Sequence, residues 1–146
     1  MEVAQTTPPE AHQTLSRDPD AVYLDVRTEE EFEEGHPAGA RNVPIFFFDA
    51  ATGRPKPNPD FVRVVEGNLP RSTKLFVGCQ SGMRSQRACE VLLQAGYSDV
   101  TNVQGSFSGL RDPGGRVVVV GWRDAGLPVE TGQPSEGSYA TLKARS

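Results

Sequence analysis

The chain has 146 residues, of which 36% are hydrophobic and 23% are charged, and its formal net charge is −4. This composition predicts one compact domain and argues against a nucleic-acid partner, because phosphate binding needs a basic surface. No apolar run approaches the roughly 20 residues that span a bilayer, and the first residues lack the pattern of a signal peptide. We therefore expect a cytoplasmic protein that does not bind a membrane.

The cysteine and histidine content limits the possible metal sites. The sequence contains two cysteines and two histidines, and His12 and His36 are far in sequence from Cys79 and Cys89. Two cysteines in a reducing compartment favour free thiols over a disulfide, and they are too few for a zinc cluster without histidine partners. We expect no metal and no bound cofactor.

Apolar runs alternate with helical patterns along the chain. A cap residue followed by two prolines and a glutamate predicts a helix from Thr7 to about Ser16. Thr28-Glu29-Glu30-Glu31 also places a glutamate three residues after a cap residue, which predicts a short acidic helix. The other predicted elements are the strand 21–26, the strand 42–45, a long surface loop 46–59, the helix 61–69, the strand 74–78, the helix 83–95 and the strand 99–103. Strands separated by helices imply an α/β fold with three layers, in which a central, mostly parallel sheet has helices on both faces.

Cys79 directly follows the predicted strand 74–78, in a short polar loop that opens the next helix. In open α/β sheets, ligands bind at the carboxyl ends of the strands. Because the intervening residues 80–82 are short and flexible, successive backbone N–H groups can turn toward one point, where the helix dipole adds positive potential. Such a loop favours a thiolate, with Arg84 adding positive charge at its rim. The alternative is that Cys79 is a small buried hydrophobic residue at a strand end.

Two separate segments carry a family resemblance. The segment LFVGCQSGMRS, residues 75–85, resembles the active-site loop of the single-domain rhodaneses, which are thiosulfate sulfurtransferases and related sulfur carriers. The segment YLDVRTEEEFEEGHPAGARNVPI, residues 23–45, is similar to the other signature of that family, and AGYSDVTNVQGS and GWRDAGLPVE match further along. The resemblance covers about residues 7–130 and implies a rhodanese-like domain.

This resemblance implies a sulfurtransferase that moves a sulfane sulfur from thiosulfate, or from a related persulfide donor, to a thiophilic acceptor through a persulfide on Cys79. A thiol or a sulfur-carrier protein is the expected acceptor. The charged Arg84 favours thiosulfate as the donor, since the loop of relatives that act on mercaptopyruvate is absent. The expected substrate-binding and persulfide-binding loop consists of Gln80, Ser81, Gly82, Met83, Arg84 and Ser85.

Asp25, Arg27 and Arg41 are the expected supporting residues. In the family, the residues matching Asp25 and Arg27 fix the loop by ion pairs, and direct contact with the substrate is the alternative. Arg41 either faces the pocket and attracts an anionic substrate or lies on the surface. We interpret His36 and Cys89 as structural residues, the first in a turn and the second packed within a helix. The run 29–34 is interpreted as a solvated helix face.

Two other functions compete with sulfur transfer. Phosphatases and arsenate reductases also use a cysteine in a loop of N–H groups, but the phosphatase signature has five residues between its cysteine and arginine. Here four residues separate Cys79 from Arg84, which predicts a narrower loop that suits one sulfur atom better than a phosphoryl group. The other alternative is a non-catalytic rhodanese-like module for interaction or sulfur carriage. Such modules typically lose the cysteine, and this chain retains it.

The sequence departs from the family pattern between Gly105-Ser106 and Trp122. An insertion of about a dozen residues, 110–121, contains the turn signal Asp-Pro-Gly-Gly and a β-prone run of valines. It predicts a hairpin-like arm or an added edge strand. An exposed valine run favours aggregation unless a partner or a second copy of the chain covers it, so a homodimer is possible. The tail 131–146 is polar and is predicted to be flexible.

Overall fold

The computed structural model describes residues 2–146 of the chain. Helices and strands alternate over most of this length, as the apolar runs predict. In chain order the elements are β1 (Ala4–Thr6), α1 (Pro8–Arg17), β2 (Val22–Asp25), α2 (Glu29–Glu34), β3 (His36–Pro37), β4 (Arg41–Asn42), β5 (Phe46–Phe48), β6 (Pro55–Pro57), α3 (Phe61–Asn68), β7 (Leu75–Gly78), α4 (Met83–Gln94), β8 (Val100–Val103), β9 (Leu110–Arg111), β10 (Val117–Val119), β11 (Val129–Glu130) and α5 (Tyr139–Arg145).

Five strands form the central sheet in the order β1-β8-β7-β2-β4, and every neighbouring pair is parallel. Strand β7 lies in the middle of this order, and all four of its residues are buried. Because the strands are parallel, the carboxyl ends of β2, β7 and β8 lie at one edge of the sheet. Cys79 follows β7 at that edge.

Both faces of the sheet are covered by helices. Alternate residues of β7 point to opposite faces, so Leu75 and Val77 join one apolar cluster while Phe76 joins the other. Helices α3, α4 and α5 pack on the first face, and α1 and α2 pack on the second. The predicted three-layer α/β fold with a mostly parallel sheet is confirmed.

The tail is the main correction to the predicted architecture. Residues 139–145 form α5, whose first turn is capped by Ser138, the hydroxyl of which accepts from Thr141 N. Tyr139 and Leu142 are buried against α3, and Asn68 Nδ2 donates to the carbonyl of Leu142 at 2.8 Å. Two apolar residues at a spacing of three are enough to attach this short helix, since α3 supplies the other half of the contact. The interpretation of 131–146 as flexible is therefore wrong for α5, and the packed domain extends on both sides of 7–130.

Two strand predictions differ from the structure in detail. The sequence does not predict β1, because its residues are exposed or half-buried and contain no apolar run. The strand predicted over 42–45 is present only as β4, Arg41–Asn42, although Val43 N and Ile45 N still donate to Asp25 O and Val26 O. The predicted surface loop 46–59 contains the antiparallel pair β5 and β6.

The insertion forms the predicted hairpin-like arm. Strands β9 and β10 pair in antiparallel orientation, and a turn joins them in which Asp112 N donates to Arg116 O and Gly115 N donates to Asp112 O, both at 2.9 Å. Val117, Val118 and Val120 are exposed, with 60% of Val118 accessible to solvent. The valine run is thus an uncovered apolar surface of the single chain.

Within residues 2–146, the helices are too short or too polar to cross a membrane. The same residues contain no group of three or more histidine, cysteine, aspartate or glutamate side chains that could hold a metal ion.

Candidate active site

Cys79 lies in a tight loop between the carboxyl end of β7 and the first turn of α4. Its side chain is only 2% exposed. Gly82 has a φ of 119°, which places it in the left-handed region and lets the chain turn directly into the helix. The loop therefore surrounds the sulfur closely instead of extending into solvent.

A second turn, residues 105–108, determines which way the peptide groups of this loop point. Its N–H groups bind three successive carbonyl oxygens of the loop, so these carbonyls face away from the sulfur. The three bonds are Phe107 N to Cys79 O at 3.0 Å, Ser108 N to Gln80 O at 2.9 Å and Gly105 N to Ser81 O at 2.9 Å. A loop whose carbonyls are held on the outside can present its N–H groups to the centre.

Two backbone N–H groups point at the sulfur atom. Gly82 N lies 3.1 Å from Cys79 Sγ and Ser85 N lies 3.4 Å from it. The Ser85 hydroxyl oxygen is also 3.4 Å from Sγ. The two N–H groups are the arrangement expected from the sequence, and they can stabilise negative charge on a thiolate or on a persulfide.

Ser106 is a loop contact that sequence reasoning leaves unassigned. It follows Gly105 in the turn, and its φ of 42° is positive, a conformation that glycine adopts more readily than serine. Its buried hydroxyl donates to Val103 O at 2.7 Å and accepts from Cys79 N at 3.0 Å. Ser106 therefore keeps the turn conformation and also binds the backbone of the nucleophile.

Arg84 is paired with a carboxylate at the mouth of the loop. Its Nη1 and Nη2 donate to the two oxygens of Glu31 at 2.7 and 2.9 Å, and Gln80 Nε2 donates to Glu31 Oε2 at 3.0 Å. The pair is partly buried, with side-chain exposures of 22% for Arg84 and 24% for Glu31. Arg84 thus stands at the rim as expected, but its charge is compensated.

Glu31 corrects the interpretation of 29–34 as a solvated face. It also completes a capping box with Thr28 at the start of α2. Burial raises the pKa of Glu31, but hydrogen bonds from Arg84, Thr28 and Gln80 outweigh this and lower the pKa to about 2. The hydrogen bond from Arg84 to Glu31 raises the pKa of Arg84. Glu31 therefore joins α2 to the Cys79 loop as a carboxylate.

Asp25 and Arg27 form a buried ion pair beside the loop. Arg27 Nη2 donates to Asp25 Oδ2 at 2.7 Å, and each side chain is 1% exposed. Arg27 also donates to Gly35 O at 2.7 Å and lies over the ring of Phe107 at 4.6 Å from its centroid. These contacts fix β2 and the turn 105–108 relative to each other, which fits the structural alternative for this pair.

Arg41 lies away from the loop. It lines a separate cleft with Asp18, Lys74 and Asp99, which come before the strands β2, β7 and β8, respectively. Arg41 belongs to the edge strand β4, where it pairs with Leu24, so strand β2 separates it from β7 and Cys79. This corrects its expected place among the residues that support Cys79.

His36 and Cys89 have the structural positions expected of them. His36 is buried, stacks on Phe32 and places Nδ1 2.7 Å from the carbonyl oxygen of that residue. Cys89 lies in the core, where burial raises the pKa of its thiol to about 12. A thiol in this state is a packing residue and a poor nucleophile at neutral pH.

A cleft of about 460 Å³ borders the loop at Ser81, Gly82 and Met83. Met83 stands at its edge with 77% of its side chain exposed. Leu110, from the insertion, and Gln5, from β1, line it as well. A donor or acceptor that approaches Cys79 through this cleft meets surfaces from three distant parts of the chain.

A family model described as the Rhodanese-like domain matches residues 7–112. The chain belongs to the rhodanese family. The resemblance of the two sequence segments is thereby confirmed, and sulfur transfer is the activity that the family supports. We call residues 79–85 the rhodanese loop of this chain.

Individual relatives agree with this assignment. "Thiosulfate sulfurtransferase 16, chloroplastic" from Arabidopsis thaliana is 42% identical over 108 residues, which are 74% of this chain and 78% of the relative. "Protein HIGH ARSENIC CONTENT 1, mitochondrial" from the same plant is 42% identical over 92 residues, which are 63% of this chain. This chain spans about half (53%) of the length of that second relative.

A solved structure matches most of this chain. The crystal structure of Rv0390 from M. tuberculosis is 32% identical, with a TM-score of 0.72, and the match covers 90% of this chain and 100% of the other. The match includes more than the family model, in agreement with a packed domain that extends beyond residue 112.

Sequence reasoning misses three residues that organise the rhodanese loop: Glu31, Asn102 and Ser106. The capping box marks Glu31 as a helix-start residue, but nothing local indicates that Arg84 lies opposite it. Ser106 follows Gly105 in a turn, but the sequence does not indicate its contact with Cys79 N. Asn102 donates to Gly82 O and accepts from Ser85 across the sheet edge, which no local pattern indicates.

Proposed function

We propose that this rhodanese is a sulfurtransferase that takes a sulfane sulfur from thiosulfate and passes it to a thiol through a persulfide on Cys79. The observation that carries the proposal is the convergence of Gly82 N and Ser85 N on the buried Cys79 sulfur. Two N–H groups directed at one sulfur stabilise an anion there before any substrate binds.

In the first half-reaction, the Cys79 thiolate attacks the outer sulfur of thiosulfate. The bond between the two sulfur atoms of thiosulfate breaks, and sulfite leaves with the electron pair. In the second half-reaction, an acceptor thiolate attacks the sulfur carried by Cys79 and releases the Cys79 thiolate. Because the two half-reactions use the same cysteine in turn, the steady-state kinetics are ping-pong.

The loop N–H groups, and not a free cation, carry the preference for an anionic donor. Arg84 is neutralised by Glu31, so it contributes less attraction for thiosulfate than an unpaired arginine would. What remains is the pair of N–H groups and the amino-terminal end of α4, which is twelve residues long. Met83 borders the cleft beside the rhodanese loop and Gln80 lies beside Glu31, and both influence which acceptors reach the sulfur.

The acceptor is a thiol or a sulfur-carrier protein, because the cleft at Met83 is open enough to admit a group larger than thiosulfate. The exposed Met83 and the half-buried Leu110 offer an apolar contact in the cleft that borders the loop. A binding role without turnover is the alternative that the same loop would serve if no acceptor reached Cys79.

Steady-state turnover with thiosulfate, mercaptopyruvate and arsenate, measured side by side, tests the proposal. Arsenate is included because the name of one relative refers to arsenic content. We expect the highest kcat/KM with thiosulfate and parallel lines in a double-reciprocal plot against the acceptor. A higher kcat/KM with mercaptopyruvate would contradict the proposed donor. Faster reduction of arsenate, measured with a thiol as the reductant, would contradict sulfur transfer as the main activity, and absence of all turnover would favour the binding role.

A further inference from the structure

A chain of hydrogen-bonded side chains leads from the surface to the Cys79 sulfur. Gln5 Nε2 donates to Gln86 Oε1 at 2.7 Å, and Asn102 Nδ2 donates to Gln5 Oε1 at 2.9 Å. The Ser85 hydroxyl donates to Asn102 Oδ1 at 2.6 Å, and its oxygen is the one that lies 3.4 Å from Cys79 Sγ. Asn102 is therefore connected to the sulfur through a single atom.

The backbone determines the orientation of the two amides in this chain. Asn102 Nδ2 lies 3.3 Å from Gly82 O, and a carbonyl oxygen can only accept, so the amide oxygen of Asn102 must face Ser85. In the same way, Gln5 Nε2 lies 3.3 Å from Val3 O, which directs its amide oxygen to Asn102. The direction of each hydrogen bond follows from these two carbonyl groups.

The hydroxyl of Ser85 has one hydrogen, and Asn102 holds it. Toward Cys79, Ser85 therefore offers an oxygen lone pair, which can accept from a thiol but cannot donate to a thiolate. A donated hydroxyl hydrogen would stabilise the thiolate and reduce the nucleophilicity of the sulfur. With that hydrogen engaged, the Gly82 and Ser85 N–H groups carry the stabilisation of the anion.

We propose that Asn102 is a positioning residue for the sulfur chemistry of Cys79, which it controls by holding the hydrogen of the Ser85 hydroxyl away from the sulfur. This rests on the proposed function in one respect, because it takes Cys79 as the sulfur-carrying nucleophile. Asn102 acts from strand β8, where it is buried and pairs in register with Gln5 of β1. The amino-terminal strand thus helps to set the reactivity of the nucleophile.

We expect the ionisable groups around Cys79 to keep their positions when Asn102 is replaced, because Asn102 has no hydrogen bond to any of them. Asn102 bonds to Gln5, Gly82 and Ser85, and all three are uncharged. The titratable groups that interact with Cys79 from the surrounding elements are Tyr23 on β2, and Arg84 and Cys89 on α4. Behind them, Asp25 at the end of β2 pairs with Arg27, and Glu31 on α2 pairs with Arg84.

The test is the rate of alkylation of Cys79 by iodoacetamide as a function of pH, with the modified residue identified by peptide mass. In Asn102→Ala the freed Ser85 hydroxyl turns to the thiolate, so we expect the midpoint of the profile to fall by about 0.5–1 pH unit. The rate on the high-pH plateau should fall as well, because the thiolate is less nucleophilic. In a Ser85→Ala background, Asn102→Ala should cause no further change, since the hydroxyl is already gone.

Asn58→Ala is the matched control. Asn58 is a buried amide that donates to Pro44 O and to the hydroxyl of Tyr139, and it has no hydrogen bond to the loop among the described residues. Its replacement should lower the Tm and leave the alkylation profile unchanged. A similar shift in Asn58→Ala would show that the profile reports general loosening and would overturn the proposal.

The other outcomes are equally decisive. An unchanged profile in Asn102→Ala, or the same shift with and without Ser85, contradicts a role through the hydroxyl. If Asn102→Ala does not fold, Gln5→Ala removes the outer bond instead, and a smaller shift in the same direction that disappears in the Ser85→Ala background is expected. No shift in Gln5→Ala then overturns the proposal. Alkylation requires no thiosulfate, so failure of the proposed donor would leave this result intact.

Discussion

The two cysteines of this chain are both buried in the same apolar cluster, yet their hydrogen-bonding surroundings differ. Cys79 lies where a strand ends and a helix begins, and two backbone N–H groups point at its sulfur. Cys89 lies within helix α4, among the apolar side chains of the core, where burial raises the pKa of its thiol to about 12. Burial alone makes a thiol inert, and it is the directed N–H groups that can make a buried thiol reactive.

The strongest test of this difference is to replace each cysteine in turn. Cys79→Ser should abolish sulfur transfer, a loss of roughly 10³-fold or more, because a hydroxyl is a poor acceptor of sulfur. Cys89→Ser is the matched control and should retain most of the activity. Turnover with thiosulfate and the circular dichroism of both variants check this. An active Cys79→Ser, or a folded but inactive Cys89→Ser, would reverse the assignment.

The second test changes the charge at the rim of the Cys79 loop. In Arg84→Ala, the Glu31 carboxylate loses its partner and faces the anionic donor, so kcat/KM for thiosulfate should fall about tenfold to a hundredfold.

The double variant Arg84→Ala/Glu31→Gln is the control for that result. It removes both charges and should recover part of the loss, because the repulsion is gone. Equal losses in the single and double variants would show instead that the Arg84 charge acts directly on the donor.

The third test uses the pH dependence of stability. The pKa of Glu31 is about 2 in the folded protein, below its ordinary value of 4.5. A lowered carboxylate pKa stabilises the fold above pH 4.5, and the contribution is lost as the pH falls toward 2. We expect Glu31→Gln to lower the free energy of unfolding at pH 7 by about 1–2 kcal/mol, after allowance for partial exposure, and by less at pH 3. Urea denaturation at both pH values measures it, and an equal difference at both would contradict an ionised Glu31.

The smallest expected effect concerns the backbone of Cys79 itself. Ser106→Gly keeps a residue that tolerates the positive φ but removes the hydroxyl that accepts from Cys79 N. We expect kcat/KM for thiosulfate to fall about threefold to tenfold, the scale of one neutral hydrogen bond. A variant with wild-type kinetics would mean that the turn 105–108 holds the loop through its N–H groups alone.

The sequence predicts the part of the site that is contiguous in the chain and misses the part that comes from distant segments. Residues 79–85 are contiguous, so the strand, the short polar loop and the helix start are visible together, and the position of the nucleophile follows from them. Glu31, Asn102 and Ser106 reach the loop from other elements. Their contacts depend on how the sheet edge brings distant segments together, and no local pattern contains that information.

The fold shows the same division between local and distant information. The strands and helices with clear apolar periodicity, such as β7 and α4, are predicted within a residue or two. The edge strand β1 and the helix α5 have too few apolar residues of their own and depend on β8 and α3 for their stability. The homodimer that the exposed valines suggest, and the cytoplasmic location, stay predictions.

The central claim is that Cys79 carries the transferred sulfur, and intact-protein and peptide mass measurement after treatment with thiosulfate tests it most directly. The account predicts that the protein gains the mass of one sulfur atom, that the gain maps to the peptide containing Cys79, and that it disappears when cyanide is added. A protein that gains no mass, or one that carries the added sulfur on Cys89, would contradict it.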